Sequence, residues 1–218
     1  MAIDSISGWS YSLWYLGMMH LPKICAPFGK YRIRMGDRAM AYSLNDFVAD
    51  VDKALNEKGE TMEMEWSLGP KLQRLVLEGG DLTLQGEPSE GSSGLGGRIL
   101  HVDPDKRFRL VIARFASGEP TPVHAHYRWG LECGVSGKER FTVWERVDDG
   151  TNSEKAELQV FSDHHIERGD LAYWYDSPRN IHRQWAEGDE PSCVVILMGG
   201  EGGRQHLFDL DSGTYSSA

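Results

Sequence analysis

Two hydrophobic periodicities divide the chain. Between residues 43 and 80 apolar positions recur at helical spacing. Ser43 and Asp46 form a capping box, and Phe47, Val48, Val51 and Ala54 follow three and four residues apart. Gly59 marks the stop of this first helix. The spacing of Leu72, Leu75 and Val76, closed by Gly79-Gly80, predicts a second helix over Lys71 to Glu78. The Gly- and Ser-rich stretch from Gly86 to Gly97 reads as a mobile loop. From Ile99 onward the pattern is that of strands: residues 109–115, 140–147, 156–162, 171–175, 181–185 and 193–198, with a turn at Asp148-Asp149-Gly150. Short strands at spacings near ten residues predict a sandwich or barrel, and a jelly roll or double-stranded β-helix suits the count. The expected fold class is mainly β: one domain over 1–218, with a helical N-terminal cover and loop at 1–97 and a β-barrel core at 98–210.

Composition narrows the function classes. The 218 residues are 40% hydrophobic and 26% charged, an ordinary globular balance. Asp and Glu outnumber Lys and Arg by 33 to 23, and a net charge of −10 repels phosphate backbones, so no nucleic-acid partner is expected. Cys25, Cys133 and Cys193 are odd in number and widely spaced, which is no disulfide framework; a reducing compartment, the cytoplasm, is the simplest expectation. No run of eighteen apolar residues exists, so no membrane span is expected. The apolar segment Trp9 to Leu21 lacks a basic lead-in and follows Asp4. It reads as a surface that packs on the domain or on a partner subunit, which leaves a homo-oligomer open, rather than as a signal peptide.

The candidate chemistry lies in the histidines. Of eight, His124 and His126 are one residue apart, so on a strand both imidazoles face the same side. His182 lies on a second predicted strand that can close a site around one ion, and imidazole suits iron, zinc, copper or nickel. His-x-His alone is as often a packing pair as a ligand pair. The surrounding frame adds to it: Gly118-x5-His124-x-His126-x3-Gly130-x6-Gly137, then Gly169-Asp170 and Ser177-Pro178-Arg179-Asn180-Ile181-His182.

This frame resembles the two motifs of the cupin superfamily. In that family a glutamate ligand often stands four residues after the second histidine; here the position is Gly130. Three neutral ligands with open coordination positions resemble the thiol dioxygenases, the cysteine dioxygenase-like group. The paired helices, Gly137-Lys-Glu-Arg-Phe-Thr-Val-Trp144, Gly169-Asp-Leu-Ala-Tyr173 and Asn180-Ile-His-Arg183 add to the resemblance. It implies an iron(II) centre held by His124, His126 and His182, with O2 and a small organic molecule as the reacting partners. Two departures limit it. The family's Ser-x-His-x-Tyr run is replaced by Val194 to Met198, with Val194, Ile196 and Met198 facing inward, and its cysteine–tyrosine crosslink has no counterpart at Gly130 and Met198. A more apolar substrate, and the carbon–carbon-cleaving cupin dioxygenases, become competitors.

Other residues have assignable roles. If the strand of His124 continues regularly, Arg128 and Glu132 face the cavity too. Arg128 then anchors a substrate carboxylate; Glu132 serves as base, as partner to a ligand, or as displaced ligand. The alternative is an Arg128–Glu132 pair that only stabilises the strand. Tyr175 or Tyr173 can hydrogen-bond a metal-bound group, with packing the commoner role for either. Arg98 is a weaker carboxylate candidate, His164-His165 fall in an expected turn, and Cys133 points away from the cavity as a buried thiol. The function expected is an iron(II) dioxygenase that oxidises a thiol to a sulfinate or cleaves a carbonyl compound. A non-redox lyase or isomerase using Glu132, and a ligand-sensing cupin without turnover, are the alternatives.

Overall fold

The structure, a computed structural model, describes residues 41–90, 96–126, 128–174, 180–200 and 204–217. The segment Trp9 to Leu21 and the candidate Tyr175 lie outside them. Two helices come first, α1 (Leu44–Lys58) and α2 (Met62–Glu78), and a single 3₁₀ turn follows at Leu82–Leu84. The strands are β1 (Glu87–Ser89), β2 (Gly97–Val102), β3 (Phe108–Phe115), β4 (Val123–His126), β5 (Gly130–Ser136), β6 (Glu139–Arg146), β7 (Leu158–Ile166), β8 (Leu171–Trp174), β9 (Ile181–Ala186), β10 (Ser192–Gly199), β11 (Arg204–Asp209) and β12 (Thr214–Ser217). They form two six-stranded sheets in the orders β1-β2-β3-β10-β5-β8 and β12-β11-β4-β9-β6-β7. The strand pairs within each sheet are antiparallel. From β3 to β6 and from β7 to β11 each strand passes to the other sheet, as in a double-stranded β-helix, while β1–β3, β6–β7 and β11–β12 stay within one. No helix among the described residues is long and apolar enough to cross a membrane.

The capping box forms as expected: the Asp46 amide donates to Ser43 Oγ at 3.2 Å, and the Ser43 amide donates to Asp46 Oδ2 at 2.9 Å. Gly59 ends α1 with its amide on the Leu55 carbonyl, 2.9 Å away. The second helix starts at Met62, nine residues before the expected Lys71, and carries Pro70 in its interior. Burial explains the extension. Met64, Leu68, Leu72 and Leu75 are fully buried and line one face, so packing outweighs the cost of a helical proline. Thr61 caps the new start, accepting from the Met64 amide at 3.2 Å.

The first sheet is covered on both faces. Phe47, Val51, Leu68 and Leu72 of the helices pack on Leu110, Leu131, Val195 and Leu197. On the other face Val194, Ile196 and Met198 join Phe115, Phe141, Val143 and Trp174 inside the barrel. Every residue of β10 is therefore buried, and its uninterrupted apolar run is the signature of a strand with no solvent face. Three expectations are corrected. Glu87–Ser89, inside the expected loop, pairs with β2. His164 and His165 continue strand β7, paired with Phe141 and Arg140, rather than turning. Tyr173 pairs with Leu131 and so faces the helices, not the barrel.

Tyr173 also explains a glycine. A Cβ on Gly69 of α2 would lie 1.8 Å from the Tyr173 hydroxyl oxygen and 3.0 Å from its ring carbon Cζ. Gly69→Ala should therefore destabilise by about 1–3 kcal/mol despite alanine's better helix propensity. Adding Tyr173→Phe should recover part of the loss. Urea denaturation of the three proteins measures both effects, and a neutral or stabilising Gly69→Ala would disprove the contact.

Candidate metal centre

The strand alternation that places His124 and His126 on one side of β4 sends Ala125 to the opposite, outer face. His182 on β9 stands directly opposite His124 in the register, so the two side chains meet on the same rung. The ring centroids lie 4.5 Å (His124–His182), 4.8 Å (His124–His126) and 5.1 Å (His126–His182) apart. One nitrogen from each imidazole falls within 4.8 Å of the others. His124 and His182 are buried and His126 is partly so.

The backbone sets the tautomers. His124 Nδ1 lies 2.8 Å from the Pro122 carbonyl and His182 Nδ1 lies 3.0 Å from the Asn180 carbonyl. A carbonyl only accepts, so both Nδ1 atoms carry protons and each Nε2 presents its lone pair inward. His124 Nε2 and His126 Nε2 are 3.2 Å apart. That is the chord spanned by two metal–nitrogen bonds of about 2.1 Å meeting at roughly 100°. The donor set and spacing fit a single transition-metal ion. Asn180 clips two ligands together: its side-chain amide donates to the His126 carbonyl at 3.0 Å, while its own carbonyl orients His182.

The deep side of the centre is aromatic. Trp174 stacks on His126 with centroids 5.4 Å apart and lies 5.0 Å from His182, while Phe141 stacks on His182 at 5.1 Å. A Cβ at Gly130 would fall 2.2 Å from Trp174 Cζ2, so the indole fills the space that any side chain there would need. Its Nε1 is buried and has no hydrogen-bond partner among the described residues.

Glu132 reaches the interior. It pairs with Ile196 and Ala172, both on the inner face, and is fully buried. It does not join the imidazole cluster. Its Oε2 accepts from Gln184 Nε2 at a long 3.4 Å, and its carboxyl hydrogen-bonds that of Glu139, which is also fully buried. Burial pushes Glu132 up to about 8; burial and the neighbouring Glu132 hold Glu139 well above the usual carboxylate range. The pair is a proton-holding element inside the barrel. Sequence reasoning did not find Glu139, Gln184, Trp174 or Asn180. The inward alternation of the strand containing Phe141 was the available signal for Glu139.

The remaining candidates take other places. Arg128 sits in the bend between β4 and β5, about half exposed, with Nη1 2.7 Å from Glu60 Oε2. The alternation expected to run through it breaks there, because β4 and β5 belong to different sheets. Its carboxylate partner is Glu60 rather than Glu132. Arg98 donates to the carbonyls of Gln85 and Gly86. Cys133 faces the helices, fully buried, its thiol pushed up to about 12 by desolvation. Tyr173 packs on α2, and the described part of β8 ends at Trp174, before Tyr175.

No protein-family model matches the sequence, and no curated protein matches it. Among solved structures, the chain is similar to a Cupin 2 conserved barrel domain protein from Salinispora arenicola, at 16% identity over 50% of this chain and 77% of that one, TM-score 0.36. It is similar to a cupin superfamily protein from Desulfitobacterium hafniense at 14% identity, 47% and 74% coverage, TM-score 0.34. A hydroquinone 1,2-dioxygenase in complex with Cd2+ and 4-hydroxybenzonitrile is similar at 11% identity, 46% and 61% coverage, TM-score 0.34.

Two outcomes are expected. His182→Ala should abolish metal retention, and Asn180→Ala should weaken metal affinity roughly tenfold, read by competition with a chelator; full affinity in His182→Ala would sink the three-histidine centre. The carboxyl pair predicts a pH dependence in the metal-free protein. Both glutamates keep their protons when folded but ionise near the ordinary value when unfolded. Their stabilising effect is complete below about pH 4.5 and lost as pH rises through the folded value. Glu139→Gln, which cannot ionise, should gain about 1–3 kcal/mol on the parent between pH 5 and pH 8. Urea midpoints that shift in parallel at the two pH values would contradict this.

Proposed function

We propose that this chain is a non-heme iron(II) dioxygenase that uses O2 to oxidise a small organic substrate. The observation that carries the reading is the convergence of three neutral imidazoles with no carboxylate among them. Such a set leaves the ion's full positive charge to attract an anionic donor atom, a thiolate or an enolate, and leaves positions open beside it. Bound there, iron supplies the electron transfer that lets O2 react with the substrate.

The chain's own residues divide the remaining work. Trp174 and Phe141 exclude water from the deep side of the imidazoles. Val194, Ile196 and Met198 give the inner wall an apolar character, which favours a carbonyl compound or an apolar thiol over a strongly polar one. Glu132, kept protonated by its burial, can hold or release a proton at its carboxyl oxygens. Arg128 anchors substrate only by exchanging Glu60 for it. Tyr175 follows directly after the strand that carries Trp174, and serves as hydrogen-bond donor to bound substrate.

The same carboxyl pair favours a second reading, a metal-dependent lyase or isomerase with Glu132 as its acid–base group. Metal analysis followed by oxygen consumption separates the two. The iron(II)-loaded protein should consume O2 with at least one of three substrate sets: small thiols, β-dicarbonyls or hydroxylated aromatic ketones. Bound zinc or nickel, with no uptake across the panel, would overturn the dioxygenase and favour the lyase or isomerase.

A further inference from the structure

Four strands bring oxygen atoms together inside the barrel, apart from the imidazoles. Glu132 of β5 and Ser192 of β10 come from the first sheet, Glu139 of β6 and Gln184 of β9 from the second. Each lies on the inner face. Glu132 pairs with Ile196, and Glu139 and Ser192 stand two residues before the inward Phe141 and Val194. Gln184 pairs with Phe141 and follows His182 by two residues. None of the four has more than 4% of its surface exposed.

Their hydrogen bonds do not close. Glu132 Oε1, Glu139 Oε1 and Gln184 Oε1 are buried and have no partner among the described residues. Protonation does not answer the two carboxyls: an ionised Oε1 needs a donor and a protonated one an acceptor, and neither is within reach. The contacts that exist are loose. Gln184 Nε2 stands 3.4 Å from Glu132 Oε2, and Ser192 Oγ stands 3.4 Å from Glu139 Oε2. Good hydrogen bonds to oxygen are about 2.7–3.0 Å long. No cation among the described residues acts on either carboxyl.

This donor set has a chemistry of its own. Two carboxyls, an amide carbonyl and a hydroxyl are the oxygen ligands that hard cations take, and two carboxylates balance a divalent charge. Oxygens 3.4 Å apart, each about 2.4 Å from one ion, subtend roughly 90° at it, an ordinary ligand angle. Turning the Gln184 amide over puts Oε1 in the place of Nε2 and gives the ion a further acceptor.

We propose that Glu132, Glu139, Gln184 and Ser192 form a second metal site that holds one calcium ion by oxygen alone. The site is independent of the reading of the three-histidine centre, because oxygen ligands suit calcium and imidazoles suit transition metals. The ion ties four strands of both sheets at one point. While it is bound, Glu132 is a carboxylate ligand and holds no proton.

The test strips the full chain of metal, unfolds it in urea and refolds it at pH 8 with calcium or with EGTA, so that a sealed site is filled as it forms. Equilibrium dialysis should find one calcium per chain. Its uptake should release about one to two protons, which acids already ionised at the surface would not do. At calcium about a hundredfold above its Kd, the thermal midpoint should rise by about 5 °C or more over the EGTA sample. Glu132→Gln and Glu139→Gln should fold without calcium and lose both the bound ion and the shift, while His182→Ala should keep both. A wild type with no bound calcium and no shift overturns the site and leaves water as the partner of these oxygens. Calcium bound undiminished by both glutamine variants belongs to surface acids, and calcium lost in His182→Ala belongs to the imidazoles; either result overturns the proposal.

Discussion

His124 and His182 meet because β4 and β9 are paired in one register, and the rest of the centre is arranged around that pairing. A slip by one residue would turn every side chain on β4 to the other face. The register is held by more than the ladder. Ala125 and Val123 pack with Trp144 and Ile181 on the outer side, while Asn180 bridges the end of β9 to His126. The two carbonyls that receive the Nδ1 protons belong to residues two positions before each histidine, so the backbone that places each ring also decides which nitrogen it offers.

The interior behind the histidines is dry on one side and polar on the other. Trp174, Phe141 and Met198 lower the local dielectric around the imidazoles. The same desolvation acts on Glu132 and Glu139, which reach this interior from facing strands and are left with long contacts to Gln184 and Ser192. Burying two carboxyls without a cation costs stability, and the cost is lowest when both keep their protons. The helices make this interior possible. By covering the outer face of the first sheet, α1 and α2 leave β5 and β10 buried on both sides behind the site.

Much of this was legible in the chain. The capping box at Ser43, the stop at Gly59, the late strands and the one-residue spacing of His124 and His126 are local features, governed by backbone hydrogen bonding and side-chain periodicity. The inward positions of Val194, Ile196 and Met198 followed from the same alternation. Other features were not legible. Residues 62–70 contain a glycine and a proline that argue against a helix, yet the buried face of α2 carries the helix through them. Arg128 lies only two residues beyond His126, but the chain leaves one sheet for the other between them, and no periodicity crosses such a bend. Tyr173 falls on the helix side because Trp174 takes the inner one.

The sequence by itself determined the mainly β architecture with its N-terminal helices, and the residues from which the metal centre is built. Both rest on short-range rules: periods of 3.6 and 2, caps and turns, and imidazoles that share a face. Only the tertiary structure decided which charged groups have partners. Glu139 found Glu132 across the barrel, and Arg128 found Glu60 on the turn between the helices. Such pairings join residues on different strands or elements, and the packing of the two sheets and the helices fixes them.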